Sequence, residues 1–337
     1  MGVAIKEILE FEEIDLSKLA NKKIAIDSFN MLYQFLASIR QADGNPLTDF
    51  KGNVTSHLKG LFNRCVYFKK NNVKAVFVFD GKAPKLKEKE KQNREAKKQE
   101  ADKKLREALD IGDFETAKKY QGTGKLTQDM VDDAKKLISL FGFPVIVAPS
   151  EGEAQASYLV DKGVVWACSS QDFDSLLFGS RYLIRNLSVS NKRKIPGSSV
   201  YKEVPIEFFD LEKNLQKLGI DRDELIVIGI LCGTDFNPGG IKGVGPKKAL
   251  KFVKEYRDRW DELFNLLDWW DYFSYPWNEV FNTFKKIPVE DVSDLKFESM
   301  NRDAILEFLE IKSFDAKLLE RSLNTVKSVK TLDSYFG

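Results

Sequence analysis

The sequence predicts an α/β protein with a mostly parallel central sheet that has helices on both faces. Three observations favour this fold class. Short apolar runs alternate with helical patterns up to about residue 205, a charged segment at 82–125 interrupts the alternation, and mostly helical patterns follow. Alternating strands and helices are typical of parallel sheets, because a crossover helix must return the chain to the same edge. The 337 residues suffice to bury a full core.

Five apolar runs fit strands of this sheet, and four stretches between them fit helices. The expected strands are 22–27, 73–80, 143–148, 164–168 and 181–187. The expected helices are 28–41, 54–71, 127–141 and 151–162. Because parallel strands end at one edge of a sheet, the residues that follow them should gather in a single crevice.

Composition and the rare residues narrow the class of function. The net charge is +2, and His57 is the single histidine, so a histidine base and a histidine-rich zinc site are nearly excluded. Cys65, Cys168 and Cys232 lie far apart in apolar contexts, which predicts core thiols in a reducing compartment. No apolar run reaches the roughly 18–20 residues of a membrane span. Without a signal-peptide pattern, we expect a cytoplasmic protein, or a nuclear one in a eukaryote.

Acidic residues follow the points where predicted strands or loops end. They are Asp27, Asp80, Glu151, Glu153, Asp172, Asp174 and Asp235. Ligands of open α/β sheets bind outside the carboxyl ends of the strands, where gathered carboxylates repel one another unless a cation neutralises them. An all-oxygen set favours Mg²⁺ or Mn²⁺ over zinc. The sequence therefore predicts a metal-dependent phosphate enzyme.

Two cations fit such a set of carboxylates. A pair ~3.5–4 Å apart can supply a deprotonated water and neutralise the leaving oxygen of a phosphodiester. Glu151 and Glu153 have an alternative role, because Ser150-Glu-Gly-Glu153 fits the capping box of a helix N-terminus. Both roles are compatible, since the helix dipole favours ionised carboxylates at this end.

The segment 82–125 separates the second and third expected strands. It is rich in Lys and Arg and poor in apolar residues until a small apolar face that begins at Leu105 and ends at Phe114. A solvated helix is one interpretation of such a charge run. The other is a basic element, rooted beside Asp80, that holds a phosphate backbone.

Two shorter features have both structural and nucleic-acid interpretations. Gly243-Val-Gly-Pro-Lys-Lys248 places a glycine turn and two lysines at a helix start, which suits a DNA phosphate and also fits an ordinary tight turn. Tyr33 follows Asp27 by six residues and fits either a core tyrosine or a base-stacking one. The aromatic run at 269–277 fits a C-terminal core cluster better than a nucleobase platform.

Taken together, these motifs resemble the flap endonuclease family, of the archaeal type, over essentially the whole chain. The most specific blocks are Ile-Ala-Ile-Asp27-Ser-Phe, Val-Phe-Asp80-Gly-Lys-Ala-Pro, Pro-Ser-Glu151-Gly-Glu153-Ala-Gln-Ala, Ser-Ser-Gln-Asp172-Phe-Asp174 and Gly-Thr-Asp235-Phe. The resemblance implies a structure-specific 5′ nuclease that cuts 5′ flaps near single-strand/double-strand junctions. It implies two Mg²⁺ ions, replaceable by Mn²⁺, and a place in Okazaki fragment maturation and DNA repair.

The resemblance also implies roles for individual residues. The acidic residues above would be the metal carboxylates, and Lys87 and Arg94 would stabilise charge on the scissile phosphate. The 82–125 insert would be a helical arch that selects a free 5′ end. The segment from Gly243 to Lys248 would be a helix–two-turn–helix element, which often binds K⁺ in this family. The DNA-binding residues would be Gly2, Tyr33, Gly243, Gly245, Lys247 and Lys248.

The implied organisation has three parts, and a monomer is expected. They are a nuclease core at 1–205, a helical DNA-binding region at 206–328 and a clamp-binding tail at 329–337. The tail residues that match the family's motif for the sliding clamp, proliferating cell nuclear antigen, are Leu332, Tyr335 and Phe336. Val329 stands where that motif has Gln, which predicts weaker clamp binding.

Two other functions stay open from the sequence. Another 5′ nuclease of the superfamily, an exonuclease or a junction resolvase, would share the carboxylates, although the long basic insert favours flap cleavage. The other is a clamp accessory that binds DNA structures without catalysis. The carboxylate set argues against it, because a protein that only binds DNA gains nothing from negative charge beside the DNA. Cleavage assays separate the three.

Overall fold

The computed structural model describes residues 2–87, 126–187, 192–194 and 201–326. Arg94, most of the 82–125 insert and the tail at 329–337 lie outside the described residues, so their predicted roles stay predictions.

A seven-stranded sheet lies at the centre of the fold, in the order β1-β9-β6-β5-β2-β3-β4. Its strands are β1 Glu12–Ile14, β2 Lys23–Asp27, β3 Lys74–Phe79, β4 Val145–Val147, β5 Ala167–Ser169, β6 Tyr182–Arg185 and β9 Ile206–Asp210. The strands from β6 to β4 pair in parallel, whereas β9 and β1 are antiparallel at one edge. A separate hairpin pairs β7 Lys192–Lys194 with β8 Tyr201–Glu203. The predicted mostly parallel sheet is confirmed.

Helices cover the sheet and build the C-terminal half. In the first part of the chain they are α1 Ser28–Ser38, α2 Ser56–Lys70, α3 Gln128–Leu140, α4 Gly152–Asp161 and α5 Asp174–Leu177. They continue as α6 Leu211–Leu218, α7 Arg222–Cys232, α8 Pro246–Tyr256, α9 Trp260–Leu266, α10 Trp269–Tyr272, α11 Trp277–Lys286, α12 Arg302–Ile311 and α13 Ala316–Leu323. None of the described helices is both long and apolar enough to cross a bilayer.

The five predicted strands and four predicted helices are all present, with ends that differ by up to three residues. Polar caps explain several helix starts. Asp27 accepts the amide of Asn30 at the start of α1, and Asp221 forms a full capping box with Glu224 at α7. The sequence interpretation missed β1 and β9 of the central sheet and both strands of the β7–β8 hairpin. The strand β1 is only three residues long and has two exposed glutamates, so it lacks an apolar run.

Two large apolar cores lie in this structure. The first packs α1, α2 and α3 against the sheet and also takes in α12 and α13. The second surrounds α7 and includes Val3 and Ile5 from the N-terminal segment. The predicted aromatic cluster belongs to the second core, where Trp269 is buried and Trp277 stacks on Phe264 at 4.8 Å between ring centroids. The three cysteines are free thiols, as predicted.

An extended segment, residues 287–301, returns the chain from the second core to the first. Gln155 of α4 anchors it by two hydrogen bonds to the backbone of Glu290: Gln155 Nε2 donates to the carbonyl at 2.8 Å, and Oε1 accepts the amide at 2.7 Å. Leu295 and Phe297 pack on the apolar residues between α4 and the sheet. This strap (residues 287–301) therefore holds the helix that begins beside Glu151.

Candidate active site

The order of the strands places six of the seven predicted acidic residues at the carboxyl ends of parallel strands. β5, β2, β3 and β4 are neighbours and parallel, so their carboxyl ends lie together. Asp27 is the last residue of β2, and Asp80 follows β3 directly. Asp172 and Asp174 follow β5, and Glu151 and Glu153 follow β4 at the start of α4. The crevice predicted from the strand ends is thus present.

Asp27 and Asp172 share two polar neighbours. Asn30 gives its backbone amide to Asp27 Oδ1 at 3.1 Å and its side-chain amide to Asp172 Oδ2 at 3.0 Å. Ser170 donates its hydroxyl to Asp27 Oδ2 at 3.1 Å and accepts the amide of Asp172 at 3.1 Å. These bonds orient both carboxylates toward the same space.

The N-terminal segment reaches the same crevice. The Gly2 nitrogen donates to Asp172 Oδ1 at 3.1 Å, and the Val3 amide donates to Asp174 Oδ1 at 2.9 Å. A Cβ on Gly2 would lie 2.4 Å from Asp172 Cβ, which is closer than van der Waals contact permits. Only glycine therefore allows this approach.

Asp80 sits against the start of α4. The amide of Gly152 donates to Asp80 Oδ1 at 2.6 Å, which places this carboxylate at the positive end of the helix dipole. The capping box considered from the sequence is not formed. Glu151 is the N-cap residue and makes no side-chain cap, while the Ser150 hydroxyl donates to the carbonyl of Lys82. The carboxylates of Glu151 and Glu153 are therefore not engaged in capping.

Lys87 projects from the root of the insert into the carboxylates. Its Nζ lies 2.5 Å from Glu151 Oε2 and 3.3 Å from Asp235 Oδ2. Asp235 comes from the turn after α7, which Asn237 closes with a hydrogen bond from its side chain to the Ile230 carbonyl. One cationic side chain thus joins acidic residues from two parts of the fold.

Burial and mutual repulsion disfavour the charged forms of these acids. Burial raises the pKa of Asp27 to about 7, and the Asp80 carboxylate adds to the shift. Burial likewise raises the pKa of Asp174 to about 7, although the Val3 amide opposes this. The pKa of Glu153 is raised well above its usual range by burial and by Asp174. Such shifts are typical of acids that a cation must neutralise.

The pKa of Lys87 is raised, although burial by itself would lower it. Burial opposes its charge, but Glu151 and Asp235 raise its pKa above the ordinary value. Lys87 in turn opposes the rise that burial causes in the pKa of Glu151 and of Asp80. The ammonium is therefore the internal counterion of this side of the crevice.

The donor set fits hard divalent cations. Every predicted ligand is a carboxylate, which Mg²⁺ prefers. Glu153 Oε1 is buried and has no hydrogen-bond partner, so it has lone pairs available to a cation. Over the described residues, however, no three acidic, histidine or cysteine side chains are arranged to hold an ion as they stand. Several of these carboxylates are held by backbone amides or by Lys87 in this structure. They would have to move toward a common point to bind a cation.

The predicted DNA-binding turn at residues 243–248 lies near the N-terminal segment. Gly245 is the N-cap of α8, and Gly243 adopts a positive φ of 78° in the turn before it. Lys247 pairs with Glu7 at 2.6 Å, and Lys248 points back toward the Gly243 carbonyl. The N-terminal segment thus connects this turn to Asp172.

Tyr33 is 42% exposed on α1, while Met31, Leu32 and Phe35 of the same helix are buried. The core alternative for Tyr33 is therefore wrong. The base-stacking role stays a prediction.

Sequence reasoning missed the residues that orient the carboxylates. Asn30 and Ser170 carry polar side chains beside predicted ligands, and this proximity in sequence is the only signal that could have found them. Val3 acts through its backbone amide, for which a sequence has no signal.

Comparison with known proteins places this fold and site in a class. Residues 1–101 match the XPG N-terminal domain, and residues 142–235 match the XPG I-region. Flap endonuclease 1 of Thermofilum pendens is 47% identical over 348 residues, with 100% of both chains covered. Flap endonuclease 1 of Pyrococcus furiosus is 46% identical, covering 100% of this chain and 99% of that protein. The chain therefore belongs to the flap endonuclease family.

Solved structures agree. Flap endonuclease-1 from Methanococcus jannaschii superposes with a TM-score of 0.74 at 37% identity, covering 96% of this chain and 98% of that one. The catalytic core of Rad2 in complex with DNA substrate has a TM-score of 0.70 at 22% identity, covering 96% and 98%. The second match shows a shared fold.

Proposed function

We propose that this protein is a structure-specific 5′ nuclease that hydrolyses DNA phosphodiesters where a single-stranded 5′ flap meets duplex DNA, with 5′–3′ exonuclease activity as well. The observation that carries the proposal is the crevice at the ends of β5, β2, β3 and β4, where buried carboxylates face Lys87. Full-length identity of 44–47% to flap endonucleases supports the choice of substrate.

The acidic residues of the crevice would hold two Mg²⁺ ions. The ligands would be Asp27, Asp80, Glu151, Glu153, Asp172, Asp174 and Asp235. Bound there, the ions would lower the pKa of an attacking water and neutralise the leaving oxygen. The Gly2 and Val3 amides would keep Asp172 and Asp174 aimed into the crevice, and Asn30 and Ser170 would do the same for Asp27.

Lys87 would act on the phosphate itself. Its ammonium is held by Glu151 and Asp235 and lies at the root of the insert, where a DNA strand entering the crevice would meet it. Transfer of this cation from the carboxylates to the scissile phosphate would stabilise charge that grows in the transition state. Arg94 would assist from the insert. We expect Lys87→Ala to lower the cleavage rate more than DNA affinity.

Single-turnover cleavage of a double-flap DNA tests the function. The free 5′ end and a blocked 5′ end are compared, each with Mg²⁺ and with a chelator. Cleavage near the junction that needs Mg²⁺ and falls when the end is blocked supports a flap nuclease that threads its substrate. Binding without cleavage of either substrate would contradict the proposal and favour the accessory protein.

Asp174→Ala is the matched variant for this assay. It removes a predicted ligand from a buried site, and we expect DNA binding to persist while cleavage falls by several orders of magnitude. Exposed Asp303→Ala, at the start of α12, is the control and should cleave like the parent. Normal cleavage by Asp174→Ala would contradict the metal assignment.

A sliding clamp would be the protein partner, bound through Leu332, Tyr335 and Phe336. This part of the proposal rests on the sequence motif. Deletion of 329–337 should abolish clamp binding in a pull-down or calorimetric titration and leave flap cleavage without the clamp unchanged. Unchanged clamp affinity would refute it, and Val329→Gln should strengthen binding.

A further inference from the structure

A cavity of about 720 Å³ lies behind the candidate active site, between the root of the insert and α11. Its volume is within the range of ~300–1,000 Å³ that ligand sites span. Residues 82–85 form one wall, Pro149 and Ser150 form the floor, and 276–288 form the opposite wall. No role assigned above uses this cavity.

The cavity is joined to the catalytic carboxylates through two short backbone links. Ser150 precedes Glu151, and its carbonyl accepts the amide of Gly81, which follows Asp80, at 2.6 Å. The Ser150 hydroxyl donates to the Lys82 carbonyl at 3.1 Å. These two hydrogen bonds therefore fix the floor of the cavity to the backbone next to Asp80 and Glu151.

Lys85 and Lys87 separate the two spaces. Both lie in the helical turn at residues 85–87. Side chains two positions apart in a helix are separated by about 200° around its axis, so these two lysines point in nearly opposite directions. Lys87 enters the carboxylates, whereas Lys85 lines the cavity. A strand whose phosphate contacts Lys87 would reach the cavity by passing this turn.

The lining has the chemistry of a phosphate-backbone site. Lys82, Lys85 and Lys286 supply three cations against the single carboxylate of Glu279. No carboxylate among the described residues forms an ion pair with any of the three lysines. Phosphates, whose neutralisation supplies much of nucleic-acid affinity, would complement this charge.

The rest of the lining excludes base stacking. It combines proline and isoleucine side chains with the amides of Asn278 and Asn282, and it contains no aromatic ring. Aromatic side chains are the usual platforms for sequence-tolerant stacking. Recognition here would therefore be of the sugar-phosphate backbone, with the two amides available to base edges or sugars.

We infer that this cavity binds the sugar-phosphate backbone of single-stranded DNA, on the flap side of the cleaved bond, through Lys82, Lys85 and Lys286. The inference rests on the proposed function, which places the scissile phosphate at Lys87. The cavity would thus be an additional DNA subsite. Only a flap long enough to extend beyond the scissile phosphate would reach this subsite.

Flap length provides the test. The double variant Lys85→Ala/Lys286→Ala is compared with the parent in single-turnover cleavage of two DNAs that share one duplex. One DNA carries a single-nucleotide 5′ flap and the other a long oligothymidine flap. We expect cleavage of the long flap to fall about tenfold, with the single-nucleotide flap unchanged. Equal cleavage of the long flap by variant and parent would overturn the inference.

Lys18→Ala/Lys70→Ala is the matched control. It removes the same charge from exposed lysines that precede β2 and β3, at the opposite edge of the sheet, and should leave both rates unchanged. Loss in this control as well would show a general charge effect and overturn the subsite. Lys85→Arg/Lys286→Arg keeps the charge and should restore cleavage of the long flap.

Binding separates this inference from the proposed function. Fluorescence anisotropy of oligothymidine, measured over a range of salt concentrations, should give a log–log salt slope about 1.4 smaller in Lys85→Ala/Lys286→Ala than in the parent, as for two lost single-strand phosphate contacts. If the parent cleaves neither DNA, the proposed function fails and the salt slope alone decides the cavity. An unchanged slope then rejects it.

Discussion

At the scale of single residues, one tightly constrained position in the candidate site is a glycine. Gly2 lies against Asp172 with no room for a Cβ, and its nitrogen is one of the groups that hold this carboxylate. Removal of Met1 would turn this nitrogen into an ammonium and strengthen its attraction for Asp172.

Gly2→Ala tests this contact. The added methyl must displace Asp172, because the side chain and the N-terminal segment cannot both keep their places. We expect single-turnover cleavage to fall about a hundredfold, as misplacement of a reacting group by ~1 Å can do, with the free energy of unfolding little changed. Gly163→Asn, in an open left-handed turn, is the control and should cleave normally. Full activity of Gly2→Ala would show that this close approach is not needed.

His57 is buried at the first core, and neither ring nitrogen has a hydrogen-bond partner. Burial lowers its pKa to about 4, with Asp133 opposing the shift. The folded state therefore keeps His57 neutral, whereas the unfolded chain binds a proton near pH 6.5. Stability from this residue is fully present above pH 6.5 and is lost as the pH falls toward 4.

His57→Leu should remove that dependence. We expect the parent to lose about 3 kcal/mol of unfolding free energy, relative to the variant, between pH 7 and pH 4. Urea denaturation at several pH values gives the unfolding free energy of each protein. Asp27 and Asp174 contribute a pH dependence of opposite sign, but they are present in both proteins, so their contributions cancel in the difference. Parallel curves for the two proteins would contradict a neutral buried histidine.

At the scale of elements, the first turn of helix α4 is held by two different parts of the fold. Its start receives Asp80, and Gln155, one turn later, holds the strap (residues 287–301). The strap is extended, and its position depends on Gln155, on the apolar contacts of Leu295 and Phe297, and on two backbone hydrogen bonds to Gly142 and Leu140. Carboxylates at the start of α4 are thereby tied to the C-terminal half.

Gln155→Leu tests the strap. The change keeps the side-chain volume but removes two hydrogen bonds to the backbone of the exposed Glu290, each worth about 0.5–1.5 kcal/mol. We expect a loss of roughly 1–3 kcal/mol in unfolding free energy and faster amide hydrogen exchange in 287–301. Exposed Gln128→Leu, on α3, should lose less than about 0.5 kcal/mol. Equal effects of the two changes would rule out the anchoring role.

At the scale of the whole molecule, a net charge of +2 conceals a concentration of negative charge at one edge of the sheet. The folded acids there have raised pKa values, so the metal-free protein loses stability as the pH rises from about 4 through about 7. A cation bound to the ionised carboxylates reverses this loss. Metal and stability should therefore be linked through pH.

Mg²⁺ titrations of thermal stability check this linkage. We expect Mg²⁺ to raise the melting temperature more at pH 8 than at pH 6, since protons compete for the same oxygens. A hundredfold excess over Kd would stabilise by about 2.7 kcal/mol. Na⁺ at equal ionic strength is the control. Glu153→Gln should be more stable than the parent in chelator and respond less to Mg²⁺; equal Mg²⁺ effects at both pH values would argue against carboxylate binding.

Much of this could be predicted from sequence because the signals are local. The apolar runs that became β2, β3, β4, β5 and β6 carry their own pattern, and the strand-end acids could be located once the sheet was expected to be parallel. β1 was missed because it is a three-residue edge strand with two exposed glutamates, and β9, an interior strand, was missed because mostly helical patterns were expected after residue 205. The sequence at Ser150 fits a capping box, but no such box forms. Instead Asp80, brought there by tertiary packing, accepts the amide of Gly152 at the start of α4.

The sequence by itself determined the fold class, the family and which acids gather at the sheet edge. Periodicity and residue type act over a few neighbouring positions, so they predict the elements, whereas the order of the strands in the sheet is set by tertiary packing. Only the tertiary structure decided that Gly2 holds Asp172, that Lys87 joins Glu151 to Asp235, and that Gln155 holds the strap. These contacts join residues as far as 170 positions apart, and only the packing of the whole chain brings such residues together.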